Sequence, residues 1–283
     1  MRIAIATCRK LPDLDEDEAL IVPPLRQRGH FVEVEIWDDA AVNWSSYDAV
    51  IVRSCWDYQD RVDDFLDWAA RVPRLHNPAS VLRWNLDKTY LRALADRGVP
   101  TVPTRWIEPG DELQEQHGRW VLKPTVGAGS RNAGVYNLPE EADLAVAHVA
   151  RLHALGKTVM AQPFLHSIES HGEHGLLYFG GSYSHTILKS AMLTGPHGRD
   201  VGLYKDENIA SSEATPTQKA VAEAALAAAV DDPAELLYAR VDLVETDRGP
   251  AVLELELSEP SLYYGFDPGS QMRMVDAIDK LER

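Results

Sequence analysis

The sequence predicts an α/β fold: a doubly wound N-terminal domain over residues 1–84, followed by two α+β subdomains over residues 85–160 and 161–283. Three observations predict it. The first third alternates short apolar strands with helical stretches, the pattern of a parallel sheet. A strand near residue 120 runs into a glycine-rich loop. A hairpin near residue 250 alternates leucines with acids.

In chain order, "RIAIATC", "FVEVEIW" and "YDAVIVRS" read as strands, with helices in "EDEALIVPPLRQRG" and "RVDDFLDWAARV". Such sheets gather ligands beyond the carboxyl ends of their strands. That points to "RSCWDY", where Arg53, Ser54 and Asp57 are candidate substrate contacts; the segment also reads as a polar loop with an aromatic wedge. The acidic run "LDEDE" near residue 14 reads as a solvated helix start. A domain boundary is expected from Asn77 to Trp84. A helix from about Asp87 to Arg97 then stops at Gly98, with a Pro-punctuated strand beyond.

The strand "RWVLKP", the loop "TVGAGSRNAG", the strand "GVYNL", the helix "EEADLAVAHVARLHALG" and the strand "TVMAQPFL" make the small α+β unit. After it come the hairpin "GLLYFGGSYSHTILKS", turning at Gly180 and Gly181, the Ala-rich scaffold helix "TQKAVAEAALAAAV" and the hairpin "LYARVDLVETDRGPAVLELEL". No internal repeat appears.

Composition narrows the function. The chain has 283 residues with a formal net charge of -16, which argues against nucleic acid, because a phosphate backbone is held by clustered Lys and Arg. No stretch approaches the roughly 20 apolar residues of a membrane span. The opening apolar run is too short for a signal peptide, so the cytoplasm is expected. Cys8 and Cys55 form neither a disulfide framework nor a CxxC pattern, and read as buried or site-edge thiols. The histidines lack metal-ligand spacing; His185 and His197 read as exposed loop residues, with contact to substrate as the alternative.

Chemistry-bearing residues fall in two places. In the glycine loop, Gly127, Gly129 and Ser130 let backbone N–H groups form an anion nest, although the same loop also reads as a surface turn. Lys123 precedes the glycines, so this is not the Walker arrangement. Far downstream stand Asp242, Glu254 and Glu256. Residues two apart on a strand share a face, so the two glutamates repel, while Leu253, Leu255 and Leu257 point toward the core. A divalent cation relieves the repulsion, and Mg²⁺ prefers a few carboxylates plus phosphate oxygens; a solvated hairpin face is the alternative.

In this order the motifs resemble the ATP-grasp superfamily over nearly the whole chain, and are similar to D-alanine–D-alanine ligase and bacterial glutathione synthetase. "ARVDLV" followed by "LELELSEPS" carries much of the likeness. The resemblance implies an ATP-grasp fold clasping ATP, with Lys123 and Lys88 on the nucleotide phosphates. It implies adenine read by the "AQPFL" hinge at Phe164 and Leu165 beside Gln162, and ribose held by Glu173. Asp242, Glu254 and Glu256 become Mg²⁺ ligands, and Arg240 faces the transferred phosphoryl group. Two departures stand out. Glu256 occupies the place of an asparagine in better-known members, and Gly175 the place of an arginine in glutathione synthetase. Lys189 is a candidate replacement for that arginine, or else a strand-end surface lysine.

The resemblance implies an ADP-forming carbon–nitrogen ligase that uses ATP and Mg²⁺ to activate a carboxylate as an acyl phosphate. Ser258 and Ser261, with Tyr263, in "SEPSLYY" suit a small amino-acid-like substrate, and "LELELSEPSLYY" resembles the small ligases of the D-cycloserine synthetase type, which close a ring. An intermolecular dipeptide or amino-acid–amine ligase, a small-molecule kinase of related fold and a nucleotide-sensing binding protein stay open, and a homodimer is admitted.

Overall fold

The computed structural model describes residues 1–127, 129, 131–190 and 208–282, so Ser130 and His197 lie outside the described residues. In the N-terminal third, β1 (Arg2–Thr7), α1 (Val22–Gln27), β2 (Phe31–Ile36), β3 (Ala49–Val52), α2 (Val62–Arg71) and β4 (Leu75–His76) build a parallel sheet in the order β2-β1-β3-β4. Alternation along the strands explains their continuous apolar character. Ile3, Ile5 and Ile51 pack to one side with Leu25 of α1 and with Tyr238, Leu262 and Tyr264 from the other end of the chain. Ala4, Ala6, Val50 and Val52 pack to the opposite side with Phe65 and Trp68 of α2. A parallel sheet covered on both faces needs both sets apolar.

The stretch expected as a boundary is ordered: α3 spans Ala79–Asn85. Two buried asparagines join it to distant strands. Asn77 Nδ2 donates to the Tyr238 and Leu257 carbonyls at 2.9 and 2.7 Å, and Asn85 Nδ2 to the Leu255 carbonyl at 2.8 Å. The next helix, α4 (Tyr90–Asp96), starts later than the sequence suggests because Asp87 accepts from the Thr89 N–H and turns the chain ahead of it.

The middle sheet is antiparallel, with β5 (Arg105–Ile107), β6 (Gly118–Pro124), β7 (Gly134–Leu138) and β8 (Val159–Pro163) in the order β5-β8-β6-β7. Its cover is α5 (Ala142–Ala154), whose Ala145, Val149 and Leu152 pack with Leu122, Tyr136 and Val159.

The last unit contains α6 (Ser167–His171), β9 (Glu173–Phe179), β10 (Ser182–Lys189), β11 (Ile209–Ser212), α7 (Pro216–Ala229), β12 (Tyr238–Thr246), β13 (Gly249–Glu256) and α8 (Ser270–Asp279). Its five antiparallel strands run β11-β10-β9-β12-β13. Gly180 and Gly181 turn the β9–β10 hairpin at φ +53° and +72°, a region glycine enters without strain. Thr215 and Gln218 close a capping box on α7 with Pro216 in its first turn. The Ala222, Ala225 and Leu226 face of α7 then packs on β12 and β13. Among the described residues no helix is long and apolar enough to cross a membrane.

Candidate active site

The open face of the last sheet carries the charge. Pairing sets Arg240 opposite Glu256, Asp242 opposite Glu254 on one side and Gly175 on the other, and Lys189 opposite Glu173. Arg240, Asp242, Glu254, Glu256, Lys189 and Glu173 line one cavity of about 730 Å³, shared with Lys88, Lys123 and the glycine loop.

The expected carboxylate repulsion is met by cations. Arg240 grips Asp242 in a fork, Nε to Oδ1 at 2.8 Å and Nη2 to Oδ2 at 3.0 Å, while Nη2 also donates to Glu256 and Nη1 to the Ser261 carbonyl. Lys189 Nζ lies 2.8 Å from Asp242 and 3.0 Å from Glu173, so it is a buried site lysine and not a surface one. Lys88 Nζ lies 3.0 Å from Glu254 and donates to the Gly127 carbonyl, linking the acidic strand to the glycine loop. Although burial opposes it, the Arg240 and Lys189 charges hold Asp242 below the ordinary carboxylate range. Burial, with Asp242 and Glu254 nearby, pushes Glu256 up against the pull of Arg240. Glu256 nonetheless keeps its bond to Arg240. Gly175 explains how so many groups fit, since a Cβ there would sit 3.0 Å from Asp242 Oδ1 and 3.3 Å from Arg240 Cδ.

Lys123, at the end of β6, makes no side-chain hydrogen bond or ion pair among the described residues, and burial pushes its ammonium below its usual value. It is a cation held ready for an anion.

Elsewhere in the cavity wall, Val102, Val121, Leu165, Ile168 and Leu253 form an apolar slot. Leu253 was expected in the core. A bulge in the β12–β13 ladder, where Asp242 faces Glu254 but Leu243 faces Val252, gives β13 an extra residue and exposes Leu253 to the slot. In the hinge, the Phe164 N–H is committed to the Arg119 carbonyl at 2.9 Å. Its carbonyl and the Leu165 N–H make no bond among the described residues, leaving one acceptor and one donor. Gln162 also lines the cavity, its amide donating to Thr104 Oγ1 at 2.8 Å.

The N-terminal domain supplies the remaining wall, through other residues than predicted. Asp15, Asp17, Trp56 and Tyr58 line the cavity. Arg53, Ser54 and Asp57 do not. Arg53 is buried against Glu18, Nε to Oε2 at 2.8 Å, and donates to the Pro260 carbonyl. Ser54 Oγ accepts from the Asp15 N–H, and Asp57 is taken by Trp37 and Arg61. The "LDEDE" run is correspondingly no solvated helix start: Glu18 is wholly buried and accepts from the Leu262 N–H, and Asp17 accepts from the Tyr264 and Gly265 N–H groups at 2.8 Å each. With Trp56 Nε1 donating to the Glu259 carbonyl at 3.0 Å, the N-terminal domain holds the backbone of residues 259–265. That loop presents Ser258, Glu259, Ser261 and Tyr263 to the cavity, with Tyr263 in the left-handed region at φ +51°. His185 is likewise no loop residue; it is buried in β10, 3.0 Å from the Leu262 carbonyl. Cys8 and Cys55 are both buried and free.

Three sheets around one charged cavity, with Gly127 and Gly129 in its lining, define an ATP-grasp ligase, an ATP-dependent enzyme class. The D-cycloserine synthetase DcsG N-terminal domain model matches residues 3–77. The chain is 38% identical to the cycloserine biosynthesis protein DcsG of Streptomyces lavendulae, across 98% of this chain and 97% of that protein. It therefore belongs to the DcsG family of ATP-grasp ligases. It superposes on the crystal structure of D-cycloserine synthetase DcsG with a TM-score of 0.88 at 36% identity, covering 99% of this chain and 100% of the other. Bacillus anthracis D-alanine–D-alanine ligase in complex with ATP shares the fold at a TM-score of 0.65 and 14% identity, covering 99% and 97%.

Proposed function

We propose that this ligase activates the carboxylate of a serine-type amino acid as an acyl phosphate and closes it onto a nitrogen of the same molecule, releasing ADP and phosphate. The observation that carries the reading is the convergence of Lys88, Lys123, Lys189 and Arg240 with Asp242, Glu254 and Glu256 in one cavity that also holds an apolar slot. Adenine suits the slot, with the Phe164 carbonyl as acceptor for its amino group and the Leu165 N–H as donor to its ring. Glu173 suits the ribose, and Lys88, Lys123 and the Gly127–Gly129 segment suit the phosphates.

Asp242, Glu254 and Glu256 are each paired with a cation and no three-group metal cage forms among the described residues, yet their donors are all oxygen. That chemistry fits Mg²⁺, which keeps waters and phosphate oxygens in its shell. Asp242, Glu254 and Glu256 would hold it, and it would supply charge neutralisation on the phosphates. A γ-phosphoryl group passes to the substrate carboxylate oxygen. The tethered nitrogen then attacks the acyl carbon, the C–O bond to phosphate breaks, and the nitrogen loses its proton. Arg240 and Lys189 balance the charge that builds on the phosphoryl and carbonyl oxygens. No side-chain nucleophile is needed; burial pushes both thiols up, away from reactivity.

The ring-closing form is supported by the relatives' names. Opening the amide of the D-cycloserine ring gives a serine-type carboxylate and an aminooxy nitrogen. Dependence on ATP supports the cytoplasm as its compartment. The test is ADP and phosphate release with O-amino-D-serine and its ureido form. One substrate alone should support full turnover, because the tethered nitrogen has a high effective molarity. Rates that rise and saturate with a second amine make it an intermolecular ligase, a stable phosphorylated product makes it a kinase, and AMP with pyrophosphate refutes acyl-phosphate chemistry.

A further inference from the structure

We propose that Glu259 is the anionic seat for the α-ammonium group of the amino-acid substrate, an inference that rests on the carboxylate-activating function proposed above. Four glutamates line the cavity among the described residues: Glu173, Glu254, Glu256 and Glu259. The first three are ion-paired, to Lys189, Lys88 and Arg240. Glu259 has no ion pair among the described residues. It is only 8% exposed, and its Oε2 is buried with no hydrogen-bond partner there.

The nearby cations are committed elsewhere. Lys88 serves Glu254 and the Gly127 carbonyl, and Arg53 serves Glu18 and the Pro260 carbonyl. A buried carboxylate oxygen without a donor is costly, and a donor of opposite charge relieves the cost. A ligand entering the cavity supplies one.

Position favours an ammonium that neighbours the reacting carboxylate. The charges of Lys88 and Glu254, at the phosphate end, act on Glu259. An α-ammonium is held by covalent geometry within a few ångströms of the carboxylate to be activated, so both groups belong at that end. The seat is also rigid: Trp56 holds the Glu259 carbonyl and Arg53 the next one, while the Tyr58 hydroxyl faces the carboxyl. One open carboxylate position suits the single-point charge of an amine, whereas a guanidinium needs a fork.

Calorimetry with D-cycloserine and with 3-isoxazolidinone, the same ring without its amine, tests the assignment on wild type and Glu259→Gln, with ATP affinity as the control for folding. Glu259→Gln should weaken D-cycloserine by about 10- to 100-fold while leaving 3-isoxazolidinone and ATP unchanged. In wild type alone, D-cycloserine should bind at least about tenfold tighter than the des-amino ring, which keeps the test intact if the variant does not fold. Equal loss of both rings makes Glu259 merely structural and overturns the proposal, as does equal wild-type affinity for the two rings or no wild-type binding of D-cycloserine. If ADP release occurs but Glu259→Gln binds D-cycloserine like wild type, the seat fails and the ligase reading stands. If no serine-type carboxylate releases ADP while binding still depends on Glu259 and the amine, the ligase reading fails and the seat stands.

Discussion

Arg53 Nε lies 2.8 Å from Glu18 Oε2, and neither side chain reaches solvent. Both residues spend their other bonds on the distant loop, Arg53 on the Pro260 carbonyl and Glu18 on the Leu262 N–H. The pair is therefore a tie between the N-terminal sheet and the wall of the active-site cavity. Burial raises Glu18 to about 7 against the pull of Arg53, so the carboxyl relies on its partner. Arg53→Ala should cost about 3–5 kcal/mol, the penalty for orphaning a buried charge, whereas Arg53→Met with Glu18→Leu should cost much less. Urea denaturation of the single and double variants measures this. A double variant as unstable as the single one would remove the pair from this role.

Lys123 makes the opposite prediction about stability. Burial already disfavours its charged form, and no described residue pairs with it. Lys123→Met should weaken ATP by about 10- to 100-fold, the loss of a charge-assisted contact. The unfolding midpoint should hold or rise, because a buried charge is exchanged for an apolar chain of similar length. Calorimetry and thermal melts on the same samples separate the two effects, and unchanged ATP affinity would take Lys123 out of the nucleotide site.

Gly175 tests how tightly the charge network is built. An added Cβ would meet Ile187 Cδ1 at 2.9 Å and Asp242 Oδ1 at 3.0 Å. Gly175→Ala should cost about 1–3 kcal/mol through overpacking. Its larger effect should fall on kcat for ADP release, since Asp242 must shift out of the Arg240 fork. Full turnover together with a normal melting temperature would show that the strands yield freely.

Much of this arrangement was readable because period and register are local. Glu254 and Glu256, two apart, needed only strand alternation, and Lys123 only its place before the glycines, whereas Arg240 entered through the resemblance. What was hidden depends on distant partners. Arg53 stands where the carboxyl-end rule expects a ligand contact, and the rule held for the loop, through Trp56 and Tyr58, but not for the residue, because Glu18 waits in another loop. Leu253 escaped because a bulge breaks the alternation that placed it in the core. The acids at residues 15–18 read as a solvated run because their acceptors' donors, the N–H groups of residues 262–265, are remote in sequence. Glu259, in "SEPS", carried no periodic signal.

His185 gives the fold a pH dependence of known sign. Its ring sits in β10 with Nε2 against the Leu262 carbonyl and Nδ1 2.9 Å from Ser184 Oγ. Burial pushes its pKa down from 6.5 to about 4. Between those values the unfolded chain binds the proton and the folded chain does not, so stability rises with pH across this window. The contribution is complete above pH 6.5 and is lost as the pH falls through the folded value near 4, a total of about 3 kcal/mol. His185→Gln lacks this titration. The stability difference between wild type and His185→Gln, measured by urea denaturation, should therefore shrink by about 3 kcal/mol on acidification from neutrality to the folded pKa. A difference that stays constant with pH would mean that the folded protein protonates His185 as readily as the unfolded chain does, and that the ring is not sealed behind the loop that follows Glu259.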